Sequence, residues 1–322
     1  MIEPIRIELS LDIMFPSVNC YLVPGEQLTL IDCGVDSQEN WETLQKVVEA
    51  NGFRISDIKQ VIITHEHRDH IGMLPRLIEN TDAVIRAPKM IEGWFSQPDE
   101  MRKPYIQFLE KLLNSLGFPD DKLAQCDVFL DFLRRFLTIE NLDRFEFFEE
   151  GDFLNFGNIS WEVLNTPGHC PTQHVFLQKA EKRLVSSDML LPIAPMPIVT
   201  FDPEKPDQPV RALRNLLDSF ERLRVFEIEK VYPGHGPEFF DANAVMDRQL
   251  ARIQMRKKEC LEAIVSGLIT PYDINRKMYP YQTVPPDFSG MYMVLGYLDL
   301  LVEEGSIVKK QDGKRYLNFE VV

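Results

Sequence analysis

Residues 65–70 read HEHRDH, and they hold three of the six histidines in a chain of 322 residues. The run follows QVIIT (60–64), an apolar stretch with the character of a buried strand, so His65 stands where that strand ends. His65 and His67 are two apart on an extended loop, where alternate side chains share a side and can converge on one ion. Asp69 and His70 open the helical pattern DHIGMLPRLIE. They follow too closely to serve the same ion comfortably and can face a second one.

Further out along the chain, three more polar side chains stand where an expected strand runs into a polar or glycine-rich loop. These are His169 in NTPGHC, Asp188 in VSSDML and His235 in YPGHGP. At such positions chemistry rather than packing selects the residue. Taken alone, HEHRDH could be a solvated surface loop. Four further motifs in order, LIDCG among them, leave that reading little room.

The full set resembles the metallo-β-lactamase superfamily over about residues 1–240. The resemblance implies an α/β fold, an αββα sandwich with a two-metal site along one sheet edge. Position by position, it implies His65, His67 and His169 as ligands of a first ion. It implies Asp69, His70 and His235 for the second, with Asp188 bridging the two. Asp32 in LIDCG matches an acid that stands behind the motif. His174 reads as a structural or supporting group, Cys170 as a non-ligand, and Glu66 and Arg68 as structural or solvated.

Imidazole and carboxylate donors suit two divalent metal ions, zinc first, with iron or manganese also compatible because no thiolate biases the site. Two ions ~3.5–4 Å apart would hold a bridging water and lower its pKa toward ~7, making hydroxide available as nucleophile. Asp69 and Asp188 are then the catalytic carboxylates, Asp188 holding the pair together and passing a proton. No serine or cysteine is set up as a nucleophile. The expected enzyme is a metal-dependent hydrolase acting on an ester, thioester or lactone of a small molecule. A mononuclear-iron persulfide dioxygenase and a phosphodiesterase or nuclease of the same superfamily are the alternatives. The apolar MLLPIAPMPIV (189–199) and the aromatics Trp94, Phe95, Tyr105 and Phe108 favour an acyl or other apolar substrate group.

Domain organisation follows from pattern changes. Residues 1–242 read as the catalytic domain, interrupted at about 91–145 by a helical insertion. Residues 243–322 read as three helices and a hairpin turning at Asp312-Gly313, a winged-helix-like order. Residues 241–322 carry 11 basic and 11 acidic side chains, so the whole formal charge of −15 belongs to the first 240. A cation is attracted there and a long polyphosphate repelled. The helix GMYMVLGYLDLLVEEG contains no lysine or arginine, which argues against nucleic acid as partner and for docking on the catalytic domain or in a homodimer. Five cysteines without a C-x-x-C pair, no basic-then-apolar leader and no run near ~20 apolar residues lead to the expectation of a cytoplasmic protein with no membrane partner. Seven ligands imply two ions per chain; elemental analysis of gently purified protein is expected to approach two. One tightly bound iron with oxygen uptake on a persulfide would reverse the reading.

Overall fold

In a buried strand the backbone must pair on both sides while both faces meet apolar layers, and Val61-Ile62 meets that demand. The computed structural model describes every residue except 1, 14, 134–138, 140, 196, 199, 203–204, 281–287 and 311–316. The first sheet contains β1 (Ile5–Ile13), β2 (Phe15–Val23), β3 (Leu28–Ile31), β4 (Ile58–Ile62), β5 (Val84–Pro88) and β6 (Phe145–Phe148), in that spatial order. The first three strands are antiparallel neighbours, whereas β3 to β6 run parallel. Parallel neighbours need crossovers. These are α1 (Gln38–Ala50), then α2 (Arg68–Ile71) with α3 (Leu74–Asn80), then the insertion. Ser37 starts α1 by accepting a hydrogen bond from Asn40 N, an N-cap that satisfies one orphan amide.

The insertion comprises α4 (Glu92–Ser96), α5 (Pro98–Ser115) and α6 (Asp120–Leu133). After it the second sheet is built from β7 (Phe153–Phe156), β8 (Ile159–Asn165), β9 (His174–Gln178) and β10 (Arg183–Ser187). A two-stranded ribbon, β11 (Phe201–Asp202) with β12 (Lys205–Pro209), and helix α7 (Ala212–Leu223) lead to β13 (Lys230–Pro233) and β14 (Phe239–Phe240). Spatial order in this sheet is β14, β13, β10, β9, β8, β7. Then come α8 (Ala242–Val265), α9 (Pro271–Met278), α10 (Phe288–Glu303), β15 (Ile307–Lys310) and β16 (Asn318–Val321).

Three apolar cores define the layers. Between the sheets, Tyr21, Ile31 and Ile62 meet Trp161, Phe176 and Tyr232. Outside the first sheet, Trp41, Leu44 and Val48 of α1 pack with Leu74 and Leu77 of α3. Outside the second sheet, Leu213, Leu216 and Phe220 of α7 pack with Val245, Met246 and Ile253 of α8. The result is helix, sheet, sheet, helix, as the resemblance implied. No helix among the described residues is long and apolar enough to cross a membrane.

Several local expectations change. FLNF (153–156) forms the edge strand β7, in which Leu154 and Phe156 alternate inward against Phe153 and Asn155. Helix α7 adds an element to the sequence reading, although Leu213, Leu216, Phe220 and Leu223 stand at helical spacing. Strand β4 lies two residues earlier than QVIIT, with Ile63 N still donating to Arg86 O. The aromatics of the insertion divide. Phe95 is buried in the core outside the first sheet, 5.4 Å from Phe145, and Phe108 in the core outside the second. Neither is available to cover a substrate; Trp94 and Tyr105, edge to face at 5.9 Å, lie elsewhere on the insertion.

The tail shares a core with the rest. Met291, Val294, Leu295, Leu298 and Leu301 of α10 are all buried in the cluster that holds α7, α8 and α5. Ser115 O accepts from Leu317 N at 2.8 Å and Leu116 O from Tyr272 N at 2.9 Å, so the end of α5 is bonded to the tail. The expected Asp312-Gly313 turn lies outside the described residues, while the strands flanking it pair as a hairpin. Helix α10 crosses α7 at Gly296, where an added β-carbon would stand 2.6 Å from Leu213 Cβ. Glycine to alanine inside a helix ordinarily gains about 1 kcal/mol. Here the sign is expected to reverse, Gly296→Ala costing ~1–3 kcal/mol through overpacking, as read by thermal unfolding. A stabilised variant would refute the close crossing.

Candidate metal centre

All the candidate ligands leave strand ends on one rim of the sandwich. His65, His67, Asp69 and His70 follow β4, His169 follows β8, Asp188 follows β10, and His235 follows β13. The carboxyl ends of strands in α/β folds are where loops can turn polar side chains inward. Asp32, just after β3, and Ser187, the last residue of β10, both take left-handed backbone angles, φ 55° and 45°. Non-glycine residues hold such angles at a cost that the surroundings must offset.

The side chains converge as two triads, with a third group, His65, His70 and Asp188, reaching across them. The donor atoms of His65, His67 and His169 lie within 4.8 Å of one another, and so do those of Asp69, His70 and His235. In the first triad, His67 Nδ1 stands 3.0 Å from His65 Nε2 and 2.7 Å from His169 Nε2. In the second, His235 Nε2 is 3.4 Å and His70 Nε2 3.9 Å from Asp69 Oδ2. Asp188 lies between them, with Oδ2 3.3 Å from His169 Nε2 and 3.2 Å from His235 Nε2, and Oδ1 3.4 Å from His70 Nε2.

These residues fit a pair of cations. His70 Nε2 and Asp188 Oδ1 are buried without a hydrogen-bond partner, a costly state that coordination removes. The donors are nitrogens and oxygens alone, since Cys170, though next to His169, belongs to neither triad. The outer nitrogens are already occupied. His70 Nδ1 is 2.7 Å from Asp32 Oδ2, His235 Nδ1 2.7 Å from the Ser17 carbonyl, and His65 Nδ1 3.0 Å from Thr64 Oγ1. Each such bond fixes the tautomer and leaves Nε2 facing the centre.

Thr64 is the hub behind the motif. Its amide donates to Asp32 Oδ1 at 2.9 Å and its hydroxyl to Asp32 Oδ2 at 2.8 Å. The same oxygen is 2.8 Å from Ser187 Oγ, which joins the first sheet to the second beneath the site. On the other side, β2 clamps the His235 loop. Asn19 Nδ2 donates to Pro233 O and Gly236 O, Asn19 N to Gly234 O, and Tyr21 OH to Pro233 O. Sequence reasoning missed Thr64, Ser187, Asn19 and Gly234. Only Gly234 carried a signal, within the glycine-flanked YPGHGP.

Electrostatics divide the site. Burial first, and then the neighbouring imidazoles, hold His65 well below its ordinary value, and burial lowers His67. For His235 burial pulls down too, but Asp188 and Asp69 outweigh it and lift the group to about 10. Burial likewise opposes protonation of His70, and Asp188, Asp32 and Asp69 overcome it. Burial would raise Asp69, yet His70 and His235 hold it at about 2. Asp69 and Asp188 thus favour positive charge at the second triad, which is what a cation would bring.

The surrounding residues take definite places. His174 is buried, its Nδ1 2.7 Å from Thr172 O and its ring edge-on to Phe148, away from both triads. Glu66 is not solvated: burial raises its pKa, and it accepts a hydrogen bond from Thr172 Oγ1. Phe15 stacks on the His235 ring at 4.2 Å. Ile198 N donates to His169 O at 2.9 Å, which ties Ile198 to the loop of the first triad, and Ile193 is exposed. Burial first, and then Glu66 and Cys170, raise the pKa of the Tyr105 hydroxyl in α5.

Comparison with known proteins shows the family. A family model described as the metallo-beta-lactamase superfamily matches residues 14–235. The probable metallo-hydrolase YqjP of Bacillus subtilis is 26% identical over 293 residues, 91% of this chain and 90% of that one. The hydroxyacylglutathione hydrolase GloC of Haemophilus influenzae is 25% identical over 174 residues, 53% of this chain and 66% of its own length. Among solved structures, a metallo-beta-lactamase family protein from Thermus thermophilus has a TM-score of 0.79 at 19% identity, with 99% of this chain and 98% of that one covered.

Gly234 offers a local test of the geometry. A β-carbon there would stand 2.0 Å from Asp188 Oδ1 and 3.0 Å from His70 Cε1. Gly234→Ala is expected to displace the carboxylate, so that bound metal falls by about one ion per chain while the circular-dichroism spectrum is kept. A fully metallated variant would show that Asp188 is not held where these distances place it.

Proposed function

The chain belongs to the metallo-beta-lactamase superfamily, and on that premise we propose a hydrolase with two divalent ions, zinc first, acting on an ester, thioester or lactone of a small molecule. One observation carries the reading: Asp188 stands within 3.2–3.4 Å of an imidazole from each triad, as a shared carboxylate must. His65, His67 and His169 would hold one ion, Asp69, His70 and His235 the other, with Asp188 between them. When bound, such ions supply Lewis acidity and lower the pKa of water.

The rest is the work of the chain. Asp32, the Ser17 carbonyl and Thr64 fix imidazole orientation before any substrate arrives. Asp69 Oδ2 and Asp188 Oδ2, both beside His235 Nε2, are placed to take and return a proton during cleavage. A protein nucleophile is not needed. Phe15, Ile193 and the 189–199 segment give the neighbourhood an apolar character, which supports an acyl or similar group. The hydroxyacylglutathione hydrolase among the relatives points the same way. A set of seven donors exceeds what a single-iron oxygenase needs, which disfavours the persulfide alternative.

For partners, we read a small-molecule substrate and no nucleic acid, since the apolar stripe of α10 is spent on α7, α8 and α5. A homodimer remains part of the proposal. Asp188→Ala is expected to cost several orders of magnitude in turnover on a panel of thioesters, lactones, phosphodiesters and persulfides, and His174→Ala far less. Equal losses would erase the division between ligand and bystander, and a wild-type preference for phosphodiesters would replace the acyl reading.

A further inference from the structure

Glu66 sits between His65 and His67 in an extended loop, so its side chain points away from theirs. A glutamate is seldom buried unless paired. Here the residue is 9% exposed and its carboxylate accepts a hydrogen bond from Thr172 Oγ1, 106 residues away in sequence. Cys170 Sγ lies 3.2 Å from that hydroxyl and 4.0 Å from the same carboxylate oxygen. Thr172 and Cys170 belong to the loop that presents His169.

We propose that Glu66 is a positioning residue for the first triad, tying the loop of His65 and His67 to the loop of His169 through Thr172. The proposal rests on the metal reading above. The two loops are already joined at their base, where His174 N donates to Thr64 O at 3.1 Å. The His169 loop is also held by Thr166 N to Gln173 O, Ser219 Oγ to Pro167 O and Ile198 N to His169 O, but none of these bonds reaches the loop of His65 and His67. A second tie between the two loops, displaced from the first, fixes their relative orientation and with it the approach of His169 Nε2 to His67 Nδ1, 2.7 Å here. Coordination tolerates errors of only ~0.5 Å, so that orientation acts directly on ion affinity. Glutamate suits the place because its length reaches Thr172 while the backbone keeps its neighbours aimed at the ion. Glutamine keeps an oxygen that accepts from the threonine hydroxyl; alanine keeps none.

The test is a Co²⁺ titration of metal-free, full-length protein followed by visible absorption. The bands lost in His67→Ala identify the first ion, and those lost in His235→Ala the second. Glu66→Ala and Thr172→Val are each expected to weaken the first ion about tenfold to a hundredfold and to shift its bands, with the second ion unchanged. Glu66→Gln is expected to stay close to wild type. Thr172→Val conserves volume, so it carries the test if Glu66→Ala does not fold. Wild-type affinity and bands in both variants would overturn the tie, and so would equal loss at both ions, which marks general collapse. A wild-type protein that takes up no Co²⁺ would instead overturn the metal reading itself, a result no variant can mimic.

Discussion

Asp32, Asp69 and Asp188 converge on imidazoles at a rim where solvent barely reaches, Asp69 being the most open. Taking carboxylates out of water is expensive unless each finds a positive or hydrogen-bonding partner. That demand organises the neighbourhood. Asp32 uses its oxygens on Thr64 and His70, which is why β3 must end in a left-handed turn that aims it inward. Asp188 Oδ1 occupies the space that a β-carbon at residue 234 would fill, so that position needs glycine. The clamp of β2 on the His235 loop completes the frame. A change in any one of these parts leaves a buried charge without its match.

The candidate ligands were legible because chemistry leaves a mark in residue type. Histidine and aspartate at successive strand ends, in the order His65, His67, Asp69, His70, His169, Asp188, His235, are hard to produce by packing alone. The supporting residues carry no such mark. Thr64 and Ser187 are ordinary hydroxyls until folding brings them 2.8 Å apart. Asn19 acquires its role only from Pro233 and Gly236, more than two hundred positions away. Glu66 reads as structural or solvated, and only folding places Thr172 beside it. Helix α7 is different: its apolar spacing was present in the sequence and simply competed with a proline-rich approach.

The insertion and the tail show how peripheral segments reach the site without supplying candidate ligands. Helix α5 places Tyr105 near Glu66 and Cys170, while its far end is bonded to residues 272 and 317 of the tail. Helix α10 then packs on α7, whose Ser219 donates to Pro167 O just before His169. Mechanical continuity therefore runs from the C-terminal segment to the first triad through packed helices, with Gly296 at the crossing of α10 and α7. Substrate contacts made by the insertion would be felt along the same path.

The order of the motifs along the chain also sets a timetable. Synthesis proceeds from the N-terminus, and segments fold as they emerge. HEHRDH leaves the ribosome long before any partner exists for it, since the first triad waits for residue 169 and the bridge for residue 188. The second triad waits longer still, until residue 235, and the β2 clamp that steadies it has by then been exposed for most of translation. The candidate donor set is therefore complete only late, once the second sheet has closed on the first, and the geometry of the finished sandwich rather than a nascent histidine cluster would decide which ions it suits.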